Sequence, residues 1–226
     1  MKEVKKNKVT QESPKAKSAE VDFYTAKIQG KENYILLAAL VLGCYIVFQD
    51  FITLKKVYLF KDIGSDSINI YFPWLVQLTD YIKQNGAPSW SFSQGLGQNV
   101  FPFWLGDFFS NFLMFFDKEK LPYGLAFMEI IKILLCGLIF FNYLKELKVS
   151  RFSAYIGAFL FSFCGYIMVG GCWAIFSSEA VYAALTLYGF ERWLNHKKWL
   201  WFVIGLVCIS FLQPFFLFMY AIFLAI

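Results

Sequence analysis

Histidine is almost missing from this sequence: His196 is the only one, and it lies in the basic turn Asn195 to Lys198. A zinc site built on histidines, or a Ser-His-Asp triad within the chain, is therefore not expected, and no metal site is read. Charge is scarce as well. Asp, Glu, Lys and Arg make up 16% of the residues, against about 25% in soluble domains, so a soluble globule could not be covered with polar surface. Cysteine occurs five times, without a CxxC pair. Cys44, Cys136, Cys164, Cys172 and Cys208 sit in or beside apolar segments and read as small buried hydrophobes. Neither a Walker phosphate loop nor a dinucleotide fingerprint is present, and Gly170-Gly171 reads as a helix end. The net charge of +5 does not point to nucleic acid, because the basic residues lie in an N-terminal tail and in short loops. No cofactor is indicated.

Apolar and aromatic residues take up the space. The chain is 58% hydrophobic with 28 Phe, 13 Tyr and 7 Trp, and its mean hydropathy is +0.52. Aromatic rings sit well at lipid headgroups, so the composition fits an all-α integral membrane protein, a polytopic helical bundle. Residues 1–33 are polar and Lys-rich, without hydrophobic periodicity, and read as a disordered basic cytoplasmic tail. They lack the pattern of a removed signal peptide. Residues 34–226 form the membrane domain, with spans expected at about 34–53, 121–144, 152–170, 174–194, 199–212 and from 215 onward. Gln213-Pro214 separates the last two.

Residues 54–120 form one long loop. Within it, Ile68 to Ile82 has near-helical apolar spacing and reads as an amphipathic interfacial helix. Asn85 to Asn99 is rich in turn residues. Phe101 to Phe116 is apolar but holds Asp107, Ser110 and Asn111, and reads as a second interfacial or re-entrant helix. If every span crosses, the basic loops Lys145 to Arg151 and Asn195 to Lys198 share one side with the tail. The positive-inside rule makes that side cytoplasmic and the 54–120 loop extracytoplasmic. The sequence stops inside an apolar run, so a fragment of a longer polytopic protein, or a truncated gene product, is expected.

Ionisable residues in or against a membrane are costly, and are functional candidates by default. On the outer face these are Asp62, Asp66, Asp80 and Asp107. Asp66 precedes the first loop helix, where it either favours the helix dipole or acts as a general base on a hydroxyl. Asp62 is the fallback for that role. Asp107 is either a helix-packing partner or a second site carboxylate. Lys55, Lys56 and Lys61 either hold a lipid phosphate or lie along the headgroups. Glu179 either lines a cavity or reaches the interface.

The loop resembles the YfhO family of bacterial membrane proteins. Asp66-Ser-Ile-Asn-Ile-Tyr71-Phe72-Pro73 is similar to its aspartate-to-Tyr-x-Pro phrase. Phe92-Ser93-Gln94-Gly95-Leu96-Gly97, Gly106-Asp107 and Phe161-Ser162-Phe163-Cys164-Gly165-Tyr166 match further phrases in order. Ile70 and Phe108 stand where the family often has Gln and Pro. The resemblance implies a GT-C-like bundle that transfers a sugar from a polyprenyl-phosphate carrier to an envelope polymer such as teichoic acid. It marks Asp66 as the base and adds Asn69 and Tyr71 as substrate-binding candidates. The alternatives are a transporter or flippase for a lipid-linked intermediate, and an assembly partner of an envelope enzyme.

Overall fold

The computed structural model describes residues 30–61, 65–87, 89–93, 95–100 and 106–225. Most of the basic tail read at 1–33, together with Asp62, the stretch 101–105 and Gln94, lies outside the described residues. Contacts divide the chain into Met1–Glu32 and Asn33–Ile226. Of the first unit only the Gly30–Lys31 turn and Glu32, which opens a helix, are described.

The second unit is helical, as the composition requires. Helix α1 spans Glu32–Ile52. A π-turn, Ser67–Tyr71, runs into α2, Phe72–Asn85, and Pro73 sits in the first turn of α2, where no amide donor is missed. A short hairpin follows, β1 (Trp90–Ser91) pairing antiparallel with β2 (Gln98–Asn99). Helix α3 is the six-residue Phe108–Leu113, shorter than the segment read at 101–116. The bundle then continues through α4 (Leu121–Glu146), α5 (Arg151–Ser162), α6 (Gly165–Gly170), a 3-10 turn (Gly171–Trp173) and α7 (Ile175–His196). Helices α8 (Leu200–Leu212) and α9 (Pro214–Ala225) complete it.

Among the described residues, three segments are long and apolar enough to cross a membrane: Glu32–Ile52, Leu121–Glu146 and Arg151–Trp173. Helix α7 has 22 residues but carries Glu179, Glu191 and Arg192. Its residues from Ser177 to Ala184 are all buried, so its polar groups meet protein and not lipid. Helices α8 and α9 are apolar and shorter, at 13 and 12 residues. The segment read as one helix over 152–170 is broken. Phe163 leaves helical geometry, Cys164 is extended, and the chain restarts at Gly165. Ser162 bonds back to the Ala158 carbonyl at 2.8 Å one turn earlier, a contact that bends helices. Gln213 is extended too, and Pro214 opens α9 instead of interrupting a helix.

Helix α4 organises the packing. Its Ile133 and Cys136 meet Cys44, Phe48 and the buried face of α7. Its Phe141 meets Leu36, Leu40, Ala154 and Ala158. Near its start, Leu121 and Met128 meet Leu75 of α2 and Leu113 of α3, which fastens the loop helices to the bundle. Lys83 at the end of α2 adds a second tie, reaching the Phe116 carbonyl and the Asp117 carboxylate at 3.1 Å each. That ammonium, then Lys120, holds the Asp117 carboxyl below its usual range. Helices α7 and α8 cross with their backbones close together. A Cβ on Gly189 would run into the Phe202 backbone, and one on Gly205 would stand 2.9 Å from Thr186 Cα and N.

Backbone cannot give way as a flexible side chain can. Gly189→Ala is therefore expected to destabilise the protein by about 1–3 kcal/mol, the usual cost of overpacking. A thermal melt in detergent should show the loss, whereas Gly165→Ala, which meets nothing within 4 Å, should melt like the parent. Equal melting temperatures for Gly189→Ala and the parent would contradict the close crossing.

Candidate functional site

A lysine in the middle of an apolar helix must find partners inside the protein, because lipid offers none. Lys132 lies in α4, about 17 Å from its start at 1.5 Å per residue, and is 1% exposed. Its ammonium donates to Glu129 Oε1 at 2.9 Å, to the Ala174 carbonyl at 2.8 Å and to Ser177 Oγ at 3.2 Å. These three partners match its three N–H donors. The Ser177 hydroxyl can donate a hydrogen bond to Glu129 Oε1, at 2.8 Å. Phe109 presents its ring 5.6 Å from the ammonium.

A second carboxylate approaches from the loop. Asp107 Oδ2 stands 4.0 Å from Lys132 Nζ and accepts the Ser110 hydroxyl at 2.6 Å. Its Oδ1 accepts the Phe109 amide at 3.1 Å, so Asp107 also caps α3. Asp107 thus packs α3 against the bundle with its carboxylate turned inward.

The break between α6 and α7 supplies the remaining polar groups. Ala174, with φ of 56°, turns its carbonyl to Lys132. Two residues earlier, the Cys172 carbonyl accepts the buried Ser67 hydroxyl at 2.8 Å and docks the loop helix on the break. A Cβ on Gly171 would sit 2.8 Å from the Tyr58 hydroxyl and 3.0 Å from Glu129 Oε2, so glycine makes room for both. Burial, then the Glu129 carboxylate, pushes the Tyr58 hydroxyl above its ordinary range, and it stays a phenol.

Between α2 and the bundle lies a cavity of about 880 Å³. Asp107, Glu129 and Ser110 reach its wall from α3 and α4, and Ser67, Asn69 and Tyr71 from the loop. Trp74, Trp173, Phe211 and Leu212 make much of the rest apolar. The size and the few convergent polar groups are those of a small-molecule site.

Asn69, Tyr71 and Asp107 thus fall together. Asp66 is half-buried at the start of the π-turn, one residue from the lining Ser67, and makes no side-chain capping bond to the described residues. Asp66 holds the N-cap position of that turn. Lys55, Lys56 and Lys61 are exposed and outside the described lining, and Lys56 pairs with Asp50 at 2.6 Å. Asp80 faces Lys118 at 3.8 Å on the surface. Glu179 accepts the hydroxyls of Tyr166 and, at 3.2 Å, Tyr220, and so links α6, α7 and α9.

The sequence reading missed Glu129, Lys132 and Ser177. The signal was present: Glu129-Ile-Ile-Lys132 puts opposite charges one turn apart inside an apolar run. Among the described residues no cluster of His, Cys, Asp and Glu could hold a metal ion.

Removing one partner of a buried ionic group leaves the other uncompensated, at a cost of about 3–5 kcal/mol. Lys132→Met should therefore lower the thermal midpoint in detergent strongly. Adding Glu129→Gln to it should recover part of the loss. If the double variant melts no higher than Lys132→Met, the two residues are not a coupled pair.

The family model of the bacterial membrane protein YfhO matches residues 34–226. No curated protein and no solved structure matches the chain. With the match running from the first turn of α1 to the last residue, the chain belongs to the YfhO family of bacterial membrane proteins.

Proposed function

We propose that the protein is a GT-C-like glycosyltransferase of the cell envelope. It takes a sugar from a polyprenyl-phosphate carrier and passes it to an acceptor hydroxyl on a polymer such as teichoic acid. The cavity between α2 and the bundle carries the reading, because it brings carboxylates and loop hydroxyls to one apolar-walled space. In the reaction the acceptor oxygen bonds to the anomeric carbon as the bond from that carbon to the phosphate oxygen breaks. The polyprenyl phosphate leaves with the electron pair, and the hydroxyl proton passes to a carboxylate.

Asp66, at the rim beside Ser67, is assigned as that base, with Asp62 as its fallback. Asp107 and Glu129 shape the field of the cavity, and Asn69 and Tyr71 contact the sugar. Lys55, Lys56 and Lys61, exposed after α1, meet the carrier phosphate at the membrane surface. The chain sits in the bacterial plasma membrane with its N-terminus in the cytoplasm. Glu146 and His196, 2.9 Å apart, bring the two basic loops to one end of the bundle, which supports that orientation.

Breaks at Phe163–Cys164 and Gln213 favour a second reading, a transporter of lipid-linked intermediates. Purified protein given a polyprenyl-phosphate sugar and an acceptor separates the two: the first transfers sugar, the second moves intact lipid.

Asp66→Asn should leave expression and insertion intact and cut envelope glycosylation by about 10²–10⁴-fold, the range for loss of a general base. Wild-type transfer in that variant would remove the assignment. Orientation has its own check. An impermeant maleimide should label Lys55→Cys in intact cells and Lys198→Cys only after lysis, and the reverse pattern would overturn the topology.

A further inference from the structure

The wall of the large cavity is unbalanced in charge. Asp107 and Glu129 reach it, and its lining among the described residues holds no lysine, arginine or histidine. Lys132, the cation that answers them, is 1% exposed and stands behind that lining. Its three donors are already taken by Glu129, Ala174 and Ser177. Two buried carboxylates, 4% and 2% exposed, therefore share one ammonium.

Hydrogen bonds do not remove the surplus. Asp107 receives the Ser110 hydroxyl and the Phe109 amide, and both donors are neutral. Glu129 uses Oε1 for Lys132 and Ser177 together. Its Oε2 receives no hydrogen bond among the described residues. That oxygen stands beside Gly171, which lines the cavity. A buried carboxylate with an open acceptor is costly, and a cation placed against it lowers the cost. Tyr71, Trp74, Trp173 and Phe211 line the same space, and the face of an aromatic ring attracts a cation as well. A neutral hydroxyl would satisfy the acceptor but not the charge. A ligand carboxylate would meet two like charges.

We propose that the cavity selects an amino sugar, whose ammonium donates to Glu129 Oε2 and lies against Asp107. The buried charges then stand at two against two. The fate of that sugar rests on the transferase reading, whereas its selection by charge does not.

The test uses the full chain in phosphatidylcholine nanodiscs, which carry no net charge. They are titrated calorimetrically with the citronellyl phosphate esters of glucosamine, glucose and glucuronic acid. The three ligands share a lipid phosphate and differ in the charge on the sugar. The glucosamine lipid should bind saturably and about tenfold more tightly than the glucose lipid, the size expected of one charge-assisted contact. The glucuronate lipid should bind most weakly. These comparisons are made on the parent protein and need no variant to fold. Asp107→Asn keeps an acceptor for the cap of α3 and leaves Glu129 balanced by Lys132, so the glucosamine and glucose lipids should then bind alike. Absent saturable binding of the glucosamine lipid, equal affinity for the glucose lipid, or tightest binding of the glucuronate lipid would each overturn the selection. An undiminished preference in Asp107→Asn with the parent's melting temperature would do the same. Failure of the transferase reading looks different: an amine preference that depends on Asp107, with no sugar passed from any of the three lipids to an acceptor hydroxyl.

Discussion

Lys132 is the residue around which the other polar groups are placed. A desolvated ammonium is tolerable only with every donor engaged and an opposite charge in contact. Glu129 supplies the charge from the same helix, one turn away. One helix face cannot supply the rest, so Ala174 and Ser177 come from the start of α7 and Asp107 from the cap of α3. Three separate pieces of chain are held to one nitrogen. The break just before α7 also presents the Cys172 carbonyl, which binds Ser67 and sets the loop helix over the cavity.

Broken backbone inside an apolar bundle needs its amides and carbonyls satisfied by protein. The Gly170–Ala174 break meets this by spending its carbonyls on Lys132, Ser67 and the Ser177 and Ser178 hydroxyls. The lysine shares the Ala174 carbonyl with the Ser178 amide that opens the α7 ladder, and the Cys172 carbonyl takes the Ser67 hydroxyl. Helix α7 follows from the same constraint. It is surrounded by protein on its first turns, and can therefore carry Ser177, Ser178 and Glu179 where a lipid-facing helix could not.

Much of the architecture was legible because it follows from apolar runs. The helical class, the loop between the first two long apolar helices, its amphipathic helix and the stop at Gln213-Pro214 all come from composition and periodicity. The YfhO phrases point to the same loop. The site was legible only in part. Asn69 and Tyr71 were named through the family phrase that contains them, and Asp107 because it is a charge, in the Gly106-Asp107 step of another phrase. Glu129 and Lys132 were passed over inside a run whose mean hydropathy hid them. The break at Phe163–Cys164 has no proline to announce it, and depends on Ser162 and on neighbours distant in sequence. The three loop lysines attract notice in the sequence, yet their long stems carry the charge outward, so prominence in sequence did not place them in the cavity.

Charge counting links the cavity to its proposed chemistry. With both acids ionised, Asp107 and Glu129 outnumber the single ammonium of Lys132, whose donors are already taken by protein. A phosphate bound directly there would meet net negative charge and, among the described lining residues, no spare cation. A glycosyl group departing from phosphate is another matter, because its ring gains positive character as the bond to the leaving oxygen lengthens, and nearby carboxylates stabilise it. The two halves of a lipid-linked sugar therefore call for opposite surroundings. The lysines after α1 suit the phosphate, and the carboxylate-walled cavity suits the sugar. On the transferase reading that separation orients the donor before any acceptor arrives, with the lipid-borne phosphate outermost and the anomeric carbon inward toward α2.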